Sequence, residues 1–251
     1  MHLESPAALA TSHPLDFMAQ TTPQVRDTVG KLQMTLPSDE FAQLLASVRS
    51  AFEKYTAKLR QFNPGSDRGM ALHQMMDREM SAVARLPVSC GKGCSGCCHY
   101  EVEVTQNEAA VLKGLVLGGL AINHERLQLQ AARARRSPEW LRFGSPDNRC
   151  VFLGEDGACQ VYDDRPSICR KHMVTTPASA CTTEGAAVAP VQVLLAEILL
   201  SAELSVEGNE FGSLSKMLLR SLDDSSTRRH GKSSSPPSGA VRAGAVVRAG
   251  D

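Results

Sequence analysis

The cysteines of this chain fall into two groups, and their spacing constrains the fold more than any other feature of the sequence. The first group fills positions 90, 94, 97 and 98 of the stretch CGKGCSGCC, with the spacing C-x3-C-x2-C and then one adjacent cysteine. The second group is spread over residues 150–181, with gaps of eight, nine and eleven residues. The eight candidate metal ligands are Cys90, Cys94, Cys97, Cys98, Cys150, Cys159, Cys169 and Cys181.

Thiolates are soft ligands that suit zinc or iron–sulfur clusters, and closely spaced ones let a single turn present several sulfurs to one centre. Gly91, Gly93 and Gly96 alternate with the first thiols. Glycine permits the positive φ values of a tight ligand loop and lets backbone N–H groups approach the sulfurs. The first group therefore favours a metal centre.

The composition and the first residues limit the possible cellular compartments and binding partners. The chain carries 27 basic and 27 acidic residues, so no charged field indicates a nucleic-acid partner. The first residues lack the basic start and apolar middle of a signal peptide, so we expect a cytoplasmic protein in which structural disulfides are rare. The apolar stretch at 186–200 is too short to span a membrane and contains Pro190 and Glu197. Whether the chain binds a protein partner is left open by the sequence.

The hydrophobic periodicity predicts a mainly α protein with short extended segments, organised as one cysteine-rich domain around a metal. We expect a disordered N-terminal lead-in at 1–37 and a helical segment at 38–86. The cysteine-cluster core then covers 87–182. C-terminal helices follow at 183–222, and the Ser-, Pro- and Gly-rich end predicts a flexible tail at 223–251.

Local signals predict where individual elements begin. Ser38 is a candidate N-cap. Thr105 and Glu108 form a T-x-x-E capping box ahead of an apolar run, and the stretch EVEV at 101–104 predicts one short strand. Pro190 suits the first turn of an apolar helix that reaches to about residue 204.

Three kinds of cysteine centre remain open at this point. A structural zinc site is typically built from paired C-x2-4-C knuckles, but the second group supplies no partner for the first. The C-x3-C-x2-C spacing resembles the radical S-adenosylmethionine signature, although few strands are predicted and the adjacent fourth cysteine is foreign to that motif. The third alternative is a cluster, or two centres, that joins both groups; eight sulfurs could fill two four-cysteine sites or one site with spare thiols.

Cys97 and Cys98 are expected to play different roles. Their Cα atoms lie about 3.8 Å apart, so neighbouring thiols tend to point in different directions. We expect Cys90, Cys94 and Cys97 to ligate together while Cys98 turns toward the second group. The alternative for Cys98 is a buried structural thiol.

The two motifs together resemble the YkgJ-like cysteine-cluster family of zinc- or iron-chelating domains. That family carries a C-x2-3-C-x2-C-C group followed by a segment C-x-F-L … C-x-I/V-Y-x-x-R-P-x-x-C-R. The resemblance covers about residues 85–182. The second motif is matched here by Cys150, Cys159, Tyr162, Arg165, Pro166, Cys169 and Arg170.

The resemblance implies a bound iron–sulfur cluster of the [4Fe–4S] type, or zinc, but no single activity. Flagellin lysine methylases resemble the same cysteine domain, which implies as one alternative a protein lysine N-methylase that uses S-adenosylmethionine. A metal-delivery or assembly factor is a further alternative. Whether the chain is an enzyme stays open.

Three residues of the second motif are candidate cofactor-binding residues: Arg165, Arg170 and Tyr162. Near a thiolate cluster, the two arginines would favour ionised ligands and offset negative charge. Ion pairs with nearby acidic residues are the alternative for the arginines, and a packed ring is the alternative for the tyrosine. His99 and His172 flank cysteines and could replace a thiolate, although neutral histidines outside the ligand shell are favoured.

Overall fold

The computed structural model describes residues 16–83, 85–142 and 144–230, with side chains through residue 224. The predictions of disorder for residues 1–15 and of a flexible tail for residues 231–251 lie outside this part of the chain. The described α-helices are α1 (Pro23–Gln33), α2 (Ser38–Leu59), α3 (Ser66–Met80), α4 (Gln106–Leu117), α5 (His124–Ala131), α6 (Ser167–Lys171), α7 (Leu194–Ser205) and α8 (Leu214–His230).

Two short strands form the one sheet of the described residues. Strands β1 (Glu103–Thr105) and β2 (Phe211–Ser213) pair antiparallel, with Val104 opposite Gly212. Single turns of 3-10 helix connect the other elements. They are Asp16–Gln20, Ser81–Val83, Gly96–His99, Pro138–Leu141, Pro146–Asn148, Tyr162–Asp164 and Ala178–Thr182.

The predicted fold class is confirmed: the chain is a single, mainly α domain with short extended segments. The capping box at the start of α4 is also confirmed. The hydroxyl of Thr105 accepts a hydrogen bond from the N–H of Glu108 at 3.2 Å, and Glu108 Oε2 accepts one from the N–H of Thr105 at 3.0 Å. None of the described helices is long and apolar enough to cross a membrane.

The start of the described chain differs from the expected lead-in. Residues 23–33 form α1, with Thr22 as its N-cap, and its residues Val25 and Val29 are buried. The preceding turn places the ring of Phe17 6.1 Å from that of Phe52 in α2. A few apolar side chains at helical spacing therefore order a segment whose average composition predicts disorder, because each of them reaches the core.

Two boundaries near the end of the chain also differ. The apolar helix α7 begins at Leu194 rather than at Pro190, because residues around Pro190 are extended and pair with Val174 in a β-bridge. The N–H of Val191 donates to the carbonyl of Met173 at 2.8 Å. The backbone of α8 continues to residue 230, past the boundary expected at 222.

The apolar side chains form two core clusters. The first joins α1, α2, α3 and α7 and includes Leu59, Leu72, Met76 and Leu199, all fully buried. The second lies between β1, α4, α5, α8 and the segment that follows Cys150. The cysteine-bearing loops pack on this second cluster.

A buried carboxylate, that of Glu203 in α7, joins the two halves of the fold. Its Oε1 accepts hydrogen bonds from Asn107 Nδ2 at 2.7 Å and from Asn209 Nδ2 at 2.9 Å. Asn107 Oδ1 in turn accepts from the N–H of Gly65, ahead of α3. Burial raises the pKa of Glu203 to about 7, and the nearby charge of Glu108 adds to the shift.

We expect Glu203→Gln to stabilise the protein above pH 7 by about 3 kcal/mol, since one pKa unit corresponds to about 1.4 kcal/mol. The folded pKa lies above the unfolded value of about 4.3, so the wild type is most stable below that value. Its stability falls as pH rises toward 7 and then stays constant. Glutamine keeps the accepting oxygen but carries no charge, so the variant lacks this dependence.

Urea unfolding of both proteins at pH 5 and pH 8 measures the difference. Glu207→Gln, at an exposed position beyond α7, is the matched control and should leave the pH dependence unchanged. An equal stability difference between wild type and Glu203→Gln at both pH values would contradict a neutral Glu203.

Candidate metal centre

Seven of the eight cysteines line one cavity of about 60 Å³. The apolar side chains of Val102, Phe152, Val161 and Leu214 close it on the side of the second core cluster. The structure thus brings the tight group and most of the dispersed group together. The cysteines that line the cavity are Cys90, Cys94, Cys97, Cys98, Cys150, Cys159 and Cys169.

The tight group lies in a turn in which two positions require glycine, each for a different structural reason. The N–H of Cys94 donates to the carbonyl of Gly91 at 3.0 Å, and Gly93 between them has a φ of 92°, a value that other residues rarely adopt. Gly96 lies against Cys181: a Cβ at position 96 would come within 2.6 Å of the Cys181 Cβ. Positive φ is therefore required at Gly93, and the close approach of Cys181 requires a glycine at position 96.

Backbone hydrogen bonds hold the two cysteine groups together. The N–H of Cys150 donates to the carbonyl of Cys98 at 2.8 Å. The N–H of Val174 donates to Cys90 Sγ at 3.3 Å, and the carbonyl of Val174 accepts from the N–H of Ser89 at 2.9 Å. Each end of the first loop is thereby fixed to the second half of the chain.

Glu108 positions α6, the short helix that carries Cys169. Its fully buried carboxylate accepts a hydrogen bond from the N–H of Ser167 at 2.6 Å, in addition to the one from Thr105, and lies 3.5 Å from His73 Nε2. Burial alone would raise the pKa of Glu108, but His73 and the two N–H groups outweigh it and lower that pKa. A charged carboxylate thus caps two helices at once.

Arg170 is a predicted cofactor-binding residue that is not among the residues lining the cavity. Its Nη1 contacts both carboxylate oxygens of Asp77 in α3, at 2.6 and 2.7 Å. Its Nε donates to the carbonyl of Arg165 at 2.6 Å, and its Nη2 donates to the carbonyl of Asp163. The sequence offered an ion pair as the alternative, but it could not supply this partner from α3.

Arg165 and Tyr162, two of the predicted cofactor-binding residues, line the cavity. The guanidinium carbon of Arg165 lies 3.7 Å from the centre of the Tyr162 ring, and its Nε donates to the Tyr162 carbonyl at 2.8 Å. Lys92 Nζ lies 6.0 Å from the same ring. The cavity therefore has a cationic wall held in place by stacking.

The thiols of the cavity differ in their readiness to ionise. Burial raises the pKa of Cys150 to about 11 and that of Cys169 well above its ordinary value. A hydrogen bond from the Cys98 thiol lowers the pKa of Cys97 to about 7, with help from Arg165, and the same bond raises the pKa of Cys98. Cys97 is the thiol that ionises first among these four.

The charge of Cys97 acts on more thiols than just its neighbour in the chain. The negative charge of the Cys97 thiolate is one of the causes, in addition to burial, that raise the pKa of thiols in both halves of the chain. The sequence reserved contact with the second group for Cys98, whereas the structure brings both adjacent thiols to it. The thiols affected by Cys97 are Cys90, Cys98, Cys150, Cys159, Cys169 and Cys181.

Cys181 and the two histidines lie at the edge of this arrangement. Cys181 and His99 line a neighbouring pocket rather than the cavity. His172 lines the cavity, and burial lowers its pKa, with the charge of Lys171 adding to the effect. A neutral His172 agrees with the role favoured from the sequence.

The sulfurs surround a space and do not converge on a point. Within residues 16–230, apart from Ala84 and Phe143, no three side chains of Cys, His, Asp or Glu are already placed to hold one metal ion. Seven cysteines line the cavity.

The sequence missed two residues that help to build this site, His73 and Asp77. It also missed the second role of Glu108. The capping box identified Glu108 as a local cap, but its bond to Ser167 spans 59 positions. Asp77 and His73 are polar residues in α3 with no motif of their own. Only their burial or ion pairing in the folded chain distinguishes them.

Residues 89–185 match the family model CxxCxxCC, which is described as a putative zinc- or iron-chelating domain. The match confirms the resemblance that the two cysteine motifs predict, and it supports metal binding by this part of the chain. No curated protein and no solved structure matches the chain.

In the metal-free protein, we expect iodoacetamide to label Cys97 with a midpoint near pH 7, while Cys150 requires a pH near 11. Cys98→Ala removes the thiol donor, so the Cys97 midpoint should rise. Peptide mass spectrometry over a pH series gives both midpoints. Cys94→Ala is the control and should leave the Cys97 midpoint in place; an unchanged midpoint in Cys98→Ala would refute the hydrogen-bond assignment.

Glu108→Ala should lower the free energy of unfolding by about 3–5 kcal/mol, because it leaves buried partners without an acceptor. It should also reduce metal uptake, since α6 loses its cap. Glu40→Ala is the matched control, because Glu40 is an acidic residue in the first turn of α2 but is exposed. Denaturant unfolding and metal analysis of both variants test this; similar losses in the two would contradict the role of Glu108.

Proposed function

We propose that this chain holds an iron–sulfur cluster in the cavity between its two cysteine groups. The observation that carries the proposal is that seven half-buried cysteines line one cavity of about 60 Å³. Cysteine thiolates are the usual ligands of such clusters. The family match supports zinc or iron alike, so the choice of cluster rests on the cavity.

The size of the cavity favours a cluster over a single zinc ion. Four thiolates around zinc lie about 2.3 Å from the metal and close on one point. A cavity of about 60 Å³ is several times the ~15 Å³ that one water molecule needs. A multi-atom inorganic core would fill the space that these sulfurs surround.

The walls of the cavity suit a group with negative charge that is protected from water. Phe152 and Val161 are buried beside it and exclude solvent. Arg165 supplies a positive charge, and the N–H of Val174 donates to Cys90 Sγ. When bound, an iron–sulfur cluster supplies one-electron redox chemistry, and N–H bonds to sulfur together with low solvent exposure tune its potential.

The fixed position of the ligands favours a resident centre over a metal held for delivery. Cys150 is partly buried and packs against the second core cluster, and Cys169 lies in α6, which a hydrogen bond to Glu108 and an ion pair with Asp77 hold in place. The lysine N-methylase alternative rests on the resemblance, and no contact among the described residues favours it over electron transfer.

Expression in iron-replete medium and purification without oxygen test the proposal. We expect a coloured protein that contains iron and acid-labile sulfide in equal amounts. A colourless protein with stoichiometric zinc would overturn it, and so would a protein without metal.

Variants of single cysteines test which sulfurs hold the cluster. Cys97→Ser and Cys169→Ser should each lose most of the iron and sulfide, because both residues line the cavity. Cys181→Ser is the matched control and should keep them, since Cys181 lies in the neighbouring pocket. Equal loss in all three variants would contradict the assignment.

A further inference from the structure

We propose that the pocket beside the cysteine cavity binds a small anion that carries carboxylate or phosphate groups. The pocket has a volume of about 360 Å³, near the lower end of the range for small-molecule sites. It goes beyond the proposed cluster and does not require it. The side chains that carry the argument are His99, Tyr100, Arg142, Arg149, Cys181 and Thr182.

The charge of the pocket selects the class of ligand. Arg142 and Arg149 both line it, and no acidic residue is among the described residues that do. Guanidinium groups match carboxylate and phosphate oxygens with two parallel donors. Two arginines at one pocket without an acidic partner in its lining therefore point to an anionic ligand.

Arg149 is fixed in place at the wall of the pocket. Its Nη2 donates to the carbonyl of Leu153 at 3.4 Å and also to that of Gly154. Its Nε is buried and has no hydrogen-bond partner. A ligand in the pocket does not reach this buried Nε. The two carbonyls hold the guanidinium in one position, and Arg149 therefore offers the pocket a positive charge on a rigid support.

Arg142 approaches from a different segment and is exposed. Its carbonyl accepts a hydrogen bond from the buried side chain of Asn148 at 3.2 Å, which fixes its backbone. The hydroxyl of Tyr100 and the ring of His99 add groups that can orient a polar ligand. The pocket thus combines one braced cation with one exposed cation, whose charge also acts on the nearby carboxylate of Glu139.

Cys181 forms the wall that the pocket shares with the cysteine centre. It packs against Gly96 in the first cysteine turn, so an anion in the pocket would bind directly beside the sulfur ligands. This placement fits a substrate or an effector of the centre.

Calorimetry with pyrophosphate and with citrate, at fixed ionic strength, tests the proposal on the full chain with and without metal. Glycerol is the neutral control ligand. We expect at least one of the two anions to bind and Arg142→Gln to weaken that binding about tenfold, as for one charge-assisted hydrogen bond. Arg60→Gln removes the same charge at an exposed position after α2 and should not change binding.

Two results would overturn the anion site: binding of neither anion, or equal binding to Arg142→Gln and Arg60→Gln. Cys97→Ser separates this site from the proposed cluster. It should lose iron but keep anion binding, so failure of the cluster proposal leaves the anion measurement intact. Loss of anion binding together with iron would also count against a pocket that forms independently.

Discussion

The buried carboxylate of Glu108 is the interaction on which the site depends. It caps its own helix through Thr105, caps α6 through Ser167 and lies beside His73 of α3. Three helices therefore meet at one charge. Because the N–H groups at both helix starts would otherwise lack acceptors, the carboxylate is more stable ionised here than burial alone would allow.

The contacts of Glu108 determine where Cys169 lies. α6 carries Cys169 and is only five residues long, so it has little stability of its own. Glu108 fixes its first turn, and the ion pair of Arg170 with Asp77 fixes its other end to α3. Both contacts come from polar residues that lie outside the cysteine motifs.

Thiolate charges inside the cavity are unfavourable in the metal-free protein, and a bound metal would stabilise them. Burial and mutual repulsion raise the pKa of most of these thiols, so the metal-free protein keeps them largely protonated. Cys97 is the exception because Cys98 and Arg165 stabilise its thiolate. Metal binding would replace several protons, which couples occupancy of the cavity to pH.

The sequence by itself determined the fold class, the capping box and the match of residues 89–185 to a zinc- or iron-chelating domain, because each depends on residues close together in the chain or on two fixed motifs. It did not predict that residues 23–33 form the ordered helix α1, since Val25 and Val29 become buried only through contacts with distant helices. It could not identify Asp77 as the ion-pair partner of Arg170, because the two residues lie 93 positions apart in the chain.

Tertiary structure alone decided which sulfurs share a space. Spacing identified eight cysteines, but the direction of each side chain follows from backbone bonds such as that from Cys150 to Cys98. These bonds direct seven sulfurs into one cavity and leave Cys181 on the wall of the next pocket. Short-range patterns fix residue types, whereas long-range hydrogen bonds and packing fix where the thiols point.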